Sequence, residues 1–246
     1  MRRTLVAGNW KMNATVADTD ALLAGILAGD TQNCDVAVFP PFPFLTQALG
    51  NLAGSVIQVG AQNCADQDAG AFTGEVSAKM LKDLGATMVI IGHSERRSLY
   101  GETDEIVLQK TRKALDAGLI AVVCVGETLA ERQAGNEESV VGMQLKLLLQ
   151  NLSDEDWKNI VIAYEPVWAI GTGETATPEQ AQAMHAFIRR LLAERSAEIA
   201  QATRLLYGGS VKSGNAAELF SQADIDGGLV GGASLDAAEF LGICGA

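Results

Sequence analysis

Short runs of β-branched and other apolar residues recur along the whole chain and predict eight strands. Each run spans four to seven residues and is rich in Val, Ile or Leu, which is typical of strands buried on both faces. The last run is the weakest, because Gly227 and Gly228 interrupt it. The predicted strands are Thr4–Trp10, Asp35–Phe39, Val56–Ala61, Thr87–Gly92, Leu119–Val125, Ile160–Tyr164, Arg204–Tyr207 and Ile225–Val230.

Amphipathic stretches between these runs predict helices, and the clearest covers Pro178–Ser196. Thr177 and Gln180 form a capping box, and Pro178 takes the first helical position, where its missing N–H does no harm. Apolar residues then follow the helical period, namely Met184, Phe187, Ile188, Leu191 and Leu192. Weaker patterns predict helices around Leu22–Leu27, from Thr103 to Gly118, after Ser213 and after Ser234.

The strand–helix alternation predicts the fold class. Eight such units without a linker or a low-complexity segment indicate a parallel sheet. In a chain of 246 residues they favour an α/β protein with a single domain, a closed (β/α)8 barrel over residues 1–246. An open, doubly wound sheet is the structural alternative.

Composition and charge narrow the possible partners. Apolar residues make up 48% of the chain and charged residues 20%, which suits a folded core rather than a disordered chain. Aspartate and glutamate outnumber lysine and arginine by 30 to 18. This excess argues against nucleic acid or an anionic membrane as a partner, because both attract basic surfaces. A small anionic substrate stays compatible with it, since such a ligand responds to local groups.

The cysteines and the N-terminus predict a reduced, cytoplasmic protein. No CxxC pair occurs, so we expect neither a disulfide framework nor a zinc site. Arg2 and Arg3 precede an apolar run, but Asn9 and Lys11 cut it short, so no targeting peptide is expected. No apolar stretch reaches the length of a membrane span. The cysteines are Cys34, Cys64, Cys124 and Cys244.

Polar residues or glycines follow directly after almost every predicted strand. In a barrel of this kind the active site forms at the carboxyl ends of the strands, so these positions are the candidate functional residues. They are Asn9-Trp10-Lys11, Pro40-Pro41, Gln62-Asn63, His93-Ser94-Glu95, Gly126-Glu127, Glu165-Pro166, Gly208-Gly209-Ser210 and Gly231-Gly232.

Three strand ends carry groups suited to proton transfer or charge stabilisation. Strand periodicity would place Asn9 and Lys11 on one face, although a strand end turning into solvent also explains a lysine. His93 stands where a helix could begin, which would lower its pKa and keep it neutral; a structural histidine is the alternative. Glu165 ends an apolar strand, where partial desolvation would raise its pKa toward that of a general base. His185, on the long helix, is expected to be a surface or packing residue.

Two further segments suggest a lid and an anion site. Residues 166–173 are mostly apolar, yet proline and glycine prevent a regular element; we expect a lid that excludes water, or alternatively a loop packed permanently on the barrel. Glycine pairs end the last two strands and would let backbone N–H groups approach an anion closely. A short helix near Ser234 would direct its positive end to the same place, which is the usual phosphate site of such barrels.

Taken in order, these motifs resemble the triosephosphate isomerase family from the first strand to the last. A Schiff-base aldolase would instead need a lysine late in the strand series, and Lys11 is the only lysine at a strand end. A non-catalytic protein on the same scaffold would have no need for a base, an electrophile and a lid together. The resembling segments are Asn9–Lys11, Gly92–Arg97, Cys124–Glu127, Tyr164–Gly173 and Tyr207–Val211.

The resemblance, and not the spacing, implies individual roles. Glu165 matches the base, His93 the neutral electrophile and Lys11 the cation that stabilises the enediolate. Asn9 lies beside Lys11, and Glu95 matches the residue that positions it. Residues of the implied substrate site are Asn9, Lys11, Gly171, Ser210, Gly231 and Gly232.

The resemblance also implies the wider function. It predicts interconversion of dihydroxyacetone phosphate and D-glyceraldehyde 3-phosphate in glycolysis and gluconeogenesis, in the cytoplasm, without metal or cofactor. It predicts a homodimer in which the loop from Ala65 to Glu75, with Phe72 at its centre, docks beside the partner's active site. One departure is Glu174, where the family usually carries lysine after the last glycine of the lid, so the lid hinge is in question.

Overall fold

Eight parallel strands close into one barrel in the computed structural model, which describes residues 2–170 and 175–246. Strands adjacent in sequence are adjacent in the barrel, and the last pairs with the first, so that Leu5 aligns with both Asp35 and Gly227. The predicted closed barrel is therefore confirmed, and the open sheet is excluded. The strands are β1 Leu5–Asn9, β2 Asp35–Phe39, β3 Gln58–Ala61, β4 Met88–Ile91, β5 Ile120–Val125, β6 Ile160–Tyr164, β7 Arg204–Tyr207 and β8 Gly227–Val230.

Helices surround the barrel, and the strongest sequence signal marks the longest of those described. Thr177 accepts the N–H of Gln180 and caps α9, as predicted. None of the helices in the described ranges is long and apolar enough to cross a membrane. The helices are α1 Val16–Leu27, α2 Phe42–Asn51, α3 Ala78–Leu84, α4 Ser94–Tyr100, α5 Asp104–Asp116, α6 Leu129–Gln133, α7 Glu137–Asn151, α8 Asp154–Trp157, α9 Pro178–Arg195, α10 Ala197–Ala202, α11 Ser213–Phe220 and α12 Ala237–Cys244.

Two predicted helix caps are wrong. α11 already includes Ser213, whose hydroxyl and N–H donate to Glu239 instead, and Lys212 takes the cap position. Ser234 lies within a short 3₁₀ turn, Gly232–Leu235, where its hydroxyl donates to the carbonyl oxygen of Gly231 at 2.7 Å. Asp236 then caps α12 by accepting the N–H of Glu239 at 2.8 Å.

Alternation along the strands divides the core into two clusters. Leu5 and Ala7 point into the barrel, while Val6 between them packs in the outer cluster with side chains of the surrounding helices. β6 behaves in the same way, with Val161 and Ala163 inside. Asn9 and Glu165 come two residues after Ala7 and Ala163, so the same alternation turns them inward at the barrel mouth.

Several single residues correct or complete the sequence interpretation. His185 is fully buried on α9, so it is a packing residue and not a surface one. Its ring packs edge-on against Tyr164, with centroids 5.5 Å apart. Burial lowers the pKa of His185 to about 4. All four cysteines are buried free thiols.

Candidate active site

A cavity of about 310 Å³ opens at the carboxyl ends of the strands. It brings together most residues that the sequence singles out, from the ends of β1, β4, β6, β7 and β8. Gly171 and Glu174 lie outside the described residues, and Glu95 borders the site through its contacts with Lys11 and His93. The predicted residues that line the cavity are Asn9, Lys11, His93, Glu165, Ser210, Gly231 and Gly232.

The Glu165 carboxylate is buried and fully hydrogen-bonded. Ser94 donates its backbone N–H to Oε2 at 2.9 Å and its hydroxyl to Oε1 at 3.2 Å. The ring Nε2 of His93 lies 2.9 Å from Oε1. Burial acts to raise the pKa of Glu165, but His93 and Ser94 outweigh it and the pKa is lowered. The predicted raised pKa is therefore wrong for this arrangement, because the sequence did not reveal these partners.

His93 occupies the position before α4 that the sequence predicts. Gly92 adopts φ 67°, a left-handed conformation that favours glycine, and it interrupts the strand alternation just before His93. The Nδ1 atom accepts the backbone N–H of Glu95 at 3.2 Å, so the proton of the neutral ring lies on Nε2. Burial acts to lower the pKa of His93, yet the nearby Glu165 carboxylate raises it overall. The predicted lowering is wrong for the same reason as for Glu165.

Lys11 reaches the cavity by a route that strand periodicity does not predict. β1 ends at Asn9, and Lys11 adopts φ 53°, an uncommon conformation for a residue with a side chain. Its backbone N–H donates to Oδ1 of Asn9 at 3.0 Å. The ammonium group lies 2.6 Å from Oε1 of Glu95. Lys11 and Asn9 thus line the same cavity, but through a sharp turn and not a shared strand face.

The first part of the predicted lid packs on the barrel through Glu127. This carboxylate is fully buried, and Oε1 accepts the Tyr164 hydroxyl at 3.0 Å and the Trp168 indole N–H at 2.8 Å. Arg132 lies 3.1 Å from the same oxygen. A 3₁₀ turn over Val167–Ala169 brings Trp168 to this point. From the sequence, Glu127 is predicted only as a strand-end residue, because no local pattern predicts an indole partner 41 positions away.

The glycine pair after β7 has packing reasons of its own. A Cβ at Gly208 would lie 2.8 Å from Cγ of Glu165, and one at Gly209 would overlap the hydroxyl of Tyr207. These two glycines therefore make room for neighbouring side chains in the barrel mouth. At Gly232 an added Cβ would meet nothing within 4 Å, so packing does not explain that glycine.

Lys212 is a cavity residue that sequence reasoning missed. It lies five positions beyond the end of β7 and lines the cavity with Ser210 and Gly231. Lys11 is therefore not the only lysine at the mouth. Within residues 2–170 and 175–246, Lys212 forms no salt bridge. The sequence does carry a signal for Lys212. The residue lies between the end of the seventh predicted strand and the helix predicted after Ser213.

Nothing in the described part of the chain is arranged as a metal site. Groups of three or more His, Cys, Asp or Glu side chains that could hold a metal ion are absent from residues 2–170 and 175–246. The Glu165 carboxylate contacts His93 and Ser94, and the Lys11 ammonium contacts Glu95.

Comparison with known proteins gives one consistent answer. A family model described as "Triosephosphate isomerase" matches residues 4–246. A triosephosphate isomerase of Cupriavidus necator is 56% identical over 243 residues, covering 99% of both chains. That of Herminiimonas arsenicoxydans is 54% identical over 244 residues, covering 99% of this chain and 98% of the relative. A barrel of this topology, a cavity at its mouth and these matches together show that the chain belongs to the triosephosphate isomerase family.

Proposed function

We propose that the cavity at the barrel mouth interconverts dihydroxyacetone phosphate and D-glyceraldehyde 3-phosphate, with residues 1–246 acting as one catalytic domain. The observation that carries the proposal is the convergence of Glu165, His93 and Lys11 on a single cavity. A carboxylate, an imidazole and an ammonium group are the base, the hydrogen-bond donor and the cation that an enediolate requires.

In the proposed reaction Glu165 removes a proton from the carbon next to the carbonyl. The Nε2–H of His93 donates a hydrogen bond to the carbonyl oxygen, and the Lys11 ammonium stabilises the negative charge of the enediolate. Glu165 then returns the proton to the former carbonyl carbon, and the hydroxyl proton passes from the neighbouring oxygen to the former carbonyl oxygen through Nε2 of His93. The reaction therefore needs neither an oxidant nor a reductant. Oδ1 of Asn9 accepts the backbone N–H of Lys11, and the Glu95 carboxylate binds the Lys11 ammonium group.

The hydrogen bonds of Glu165 set a condition on this chemistry. His93 and Ser94 both contact the carboxylate oxygens, and His93 more than Ser94 lowers the basicity of the carboxylate. In the proposed reaction the substrate replaces these partners, His93 turning its Nε2–H to the carbonyl oxygen, and the basicity of Glu165 rises as they leave. A lid over residues 166–173 would keep water away from the enediolate, whose phosphate could otherwise be eliminated.

Ser210, Gly231 and Gly232 are proposed to hold the substrate phosphate through hydroxyl and backbone N–H groups. They follow β7 and β8, and β8 stands opposite β4, the strand before His93, in the order of strands around the barrel. Gly171 belongs to the same proposed site on family resemblance alone. Lys212, at the rim of this region, adds a positive charge that suits a phosphate dianion.

We propose that the protein is a homodimer that works in the cytoplasm on small molecules, without nucleic-acid or membrane partners. Large apolar side chains are exposed in the segments that follow β1, β3 and β4: Met12 is 94% exposed, Leu99 72%, Tyr100 69% and Phe72 47%. Apolar exposure of this kind marks interaction surfaces. Four free thiols support a reducing compartment, and the net charge of −12 disfavours anionic macromolecules.

An assay with D-glyceraldehyde 3-phosphate tests the proposed roles. The purified chain should form dihydroxyacetone phosphate, and His93→Gln and Lys11→Met should each lower kcat/KM by about a hundredfold or more. Lys146→Met is the matched control, because Lys146 lies on α7 away from the cavity. Full activity in the Lys11 variant would remove Lys11 from the proposed mechanism.

A further inference from the structure

One side-chain amide holds the unusual backbone of Lys11. Gln62 follows directly after β3, and its Nε2 donates to the carbonyl oxygen of Lys11 and to that of Phe39, both at 2.8 Å. An amide NH₂ has two donors, so these two bonds use both. Because both partners are carbonyl oxygens, the amide orientation is fixed. Gln62 therefore connects the end of β2 to the turn that carries Lys11.

This connection matters because the turn is conformationally unfavourable. Lys11 has φ 53°, which costs free energy for a residue with a Cβ and persists only where surrounding contacts impose it. The two groups of the Lys11 peptide backbone are each held by a side chain: its N–H by Asn9 at 3.0 Å and its carbonyl by Gln62. Without the second bond the turn is free to relax, and the direction of the Lys11 side chain changes with it.

The ion pair with Glu95 cannot replace that hold. The Lys11 side chain is 27% exposed and that of Glu95 45% exposed, and ion pairs with this much solvent contribute little. The position of the ammonium group therefore depends on the backbone beneath it. A misplacement of about 1 Å in a catalytic group can lower a rate by about a hundredfold.

We propose that Gln62 is a positioning residue for the reaction, which holds Lys11 in its left-handed turn and so places the ammonium group for the enediolate. This inference rests on the role of Lys11 under the proposed function. It adds a residue that itself does not line the cavity. It also assigns the reason for a glutamine directly after β3.

The test uses Gln62→Met, which keeps the side-chain length and removes both donors. We expect kcat to fall about ten- to a hundredfold. The Ki of phosphoglycolate, whose carboxylate takes the place of the enediolate, should rise at least tenfold. The Ki of inorganic phosphate, which needs only the phosphate site after β7 and β8, should change less than twofold. Gln58→Met is the matched control, because Gln58 begins β3, the strand that Gln62 follows, and its side-chain oxygen accepts the hydroxyl of Thr87 at 3.3 Å.

Separate outcomes distinguish the inference from the proposed function. An equal rise in both Ki values, or wild-type kcat and Ki in Gln62→Met, would overturn the positioning role. If Gln62→Met does not fold, Gln62→Ser, which is too short to reach either carbonyl, gives the same measurement. Lys11→Met is run beside them: if it leaves the phosphoglycolate Ki unchanged, the role proposed for Lys11 fails. If it raises that Ki while the Gln62 variants do not, only the inference about Gln62 fails.

Discussion

Replacing Gly126 by alanine should displace the proposed catalytic base without touching its side chain. Gly126 follows β5, and an added Cβ would overlap the carbonyl oxygen of Glu165 and lie 2.6 Å from its carbonyl carbon. Ordinary contact begins at 3.4 Å, so the carbonyl carbon alone requires a shift of 0.8 Å, and the closer carbonyl oxygen requires a larger one. Gln144 holds Gly126 through both its N–H and its carbonyl, at 2.7 and 3.0 Å. The Glu165 peptide must therefore make most of the movement.

The size of this displacement gives the expected effect. If a misplacement of 1 Å costs about a hundredfold, a shift of at least 0.8 Å lowers kcat by roughly 40-fold or more. Overpacking of this kind also costs about 1–3 kcal/mol of the free energy of unfolding, which a barrel of ordinary stability tolerates. Gly208→Ala presses chiefly on Cγ of Glu165, at 2.8 Å, and less closely on the carbonyl oxygen of Tyr164, at 3.1 Å. Because a side chain moves more easily than a peptide, its effect on kcat should be smaller.

The assay is kcat with saturating D-glyceraldehyde 3-phosphate, beside urea unfolding of each variant. Gly50→Ala is the matched control, since its Cβ would meet nothing within 4 Å and it lies inside α2. We expect the loss of kcat to follow the order Gly126→Ala, Gly208→Ala, Gly50→Ala, with the last at wild-type level. A folded Gly126→Ala protein with kcat within threefold of wild type would refute the reasoning.

Three further predictions concern charge, pH and assembly. Lys212→Met should lower kcat/KM about fourfold at 10 mM salt for a phosphate dianion roughly 8 Å away, and hardly at all at 0.5 M salt; the same loss at both salt concentrations, or an equal loss in Lys146→Met, would exclude steering by Lys212. His185 has its pKa lowered to about 4 by burial, so between about pH 6.5 and 4 the unfolded chain binds a proton that the folded chain does not. The free energy of unfolding therefore rises with pH through this window, by about 3 kcal/mol from His185 alone. In urea unfolding at several pH values, His185→Phe should lack this part of the rise, and an unchanged pH dependence would contradict the lowered pKa of His185. Phe72→Asp should convert a sedimenting dimer into a monomer at micromolar concentration with little activity, whereas a wild-type chain that is monomeric and fully active would contradict the proposed dimer.

The barrel could be predicted because its signals are local. The β2, β6 and β7 strands lie where their apolar runs lie, since a strand buried on both faces needs a continuous apolar stretch. Thr177 and Gln180 similarly determine the start of α9 within three positions. Such patterns are read from neighbours in sequence and need no knowledge of the tertiary structure.

The electrostatics of the site could not be predicted in this way. Glu165 meets His93 and Ser94, the latter 71 positions away in sequence, and these contacts, His93 first, reverse the direction in which burial alone moves its pKa. The turn at Lys11 depends on Gln62, 51 positions away. In both cases the group is identifiable from its strand end, while its state depends on partners that only the closed barrel brings near.

The central claim, that Glu165 is the base of a triose phosphate isomerisation in this cavity, is tested most directly by kcat of Glu165→Gln. The variant keeps the size of the side chain and removes the basic oxygen, and Glu218→Gln makes the same chemical change at an exposed position of α11. With D-glyceraldehyde 3-phosphate as substrate, we expect Glu165→Gln to lower kcat by about a thousandfold or more, with unfolding still cooperative and Glu218→Gln at wild-type rate. More than a tenth of wild-type kcat in the folded Glu165→Gln protein would contradict the account.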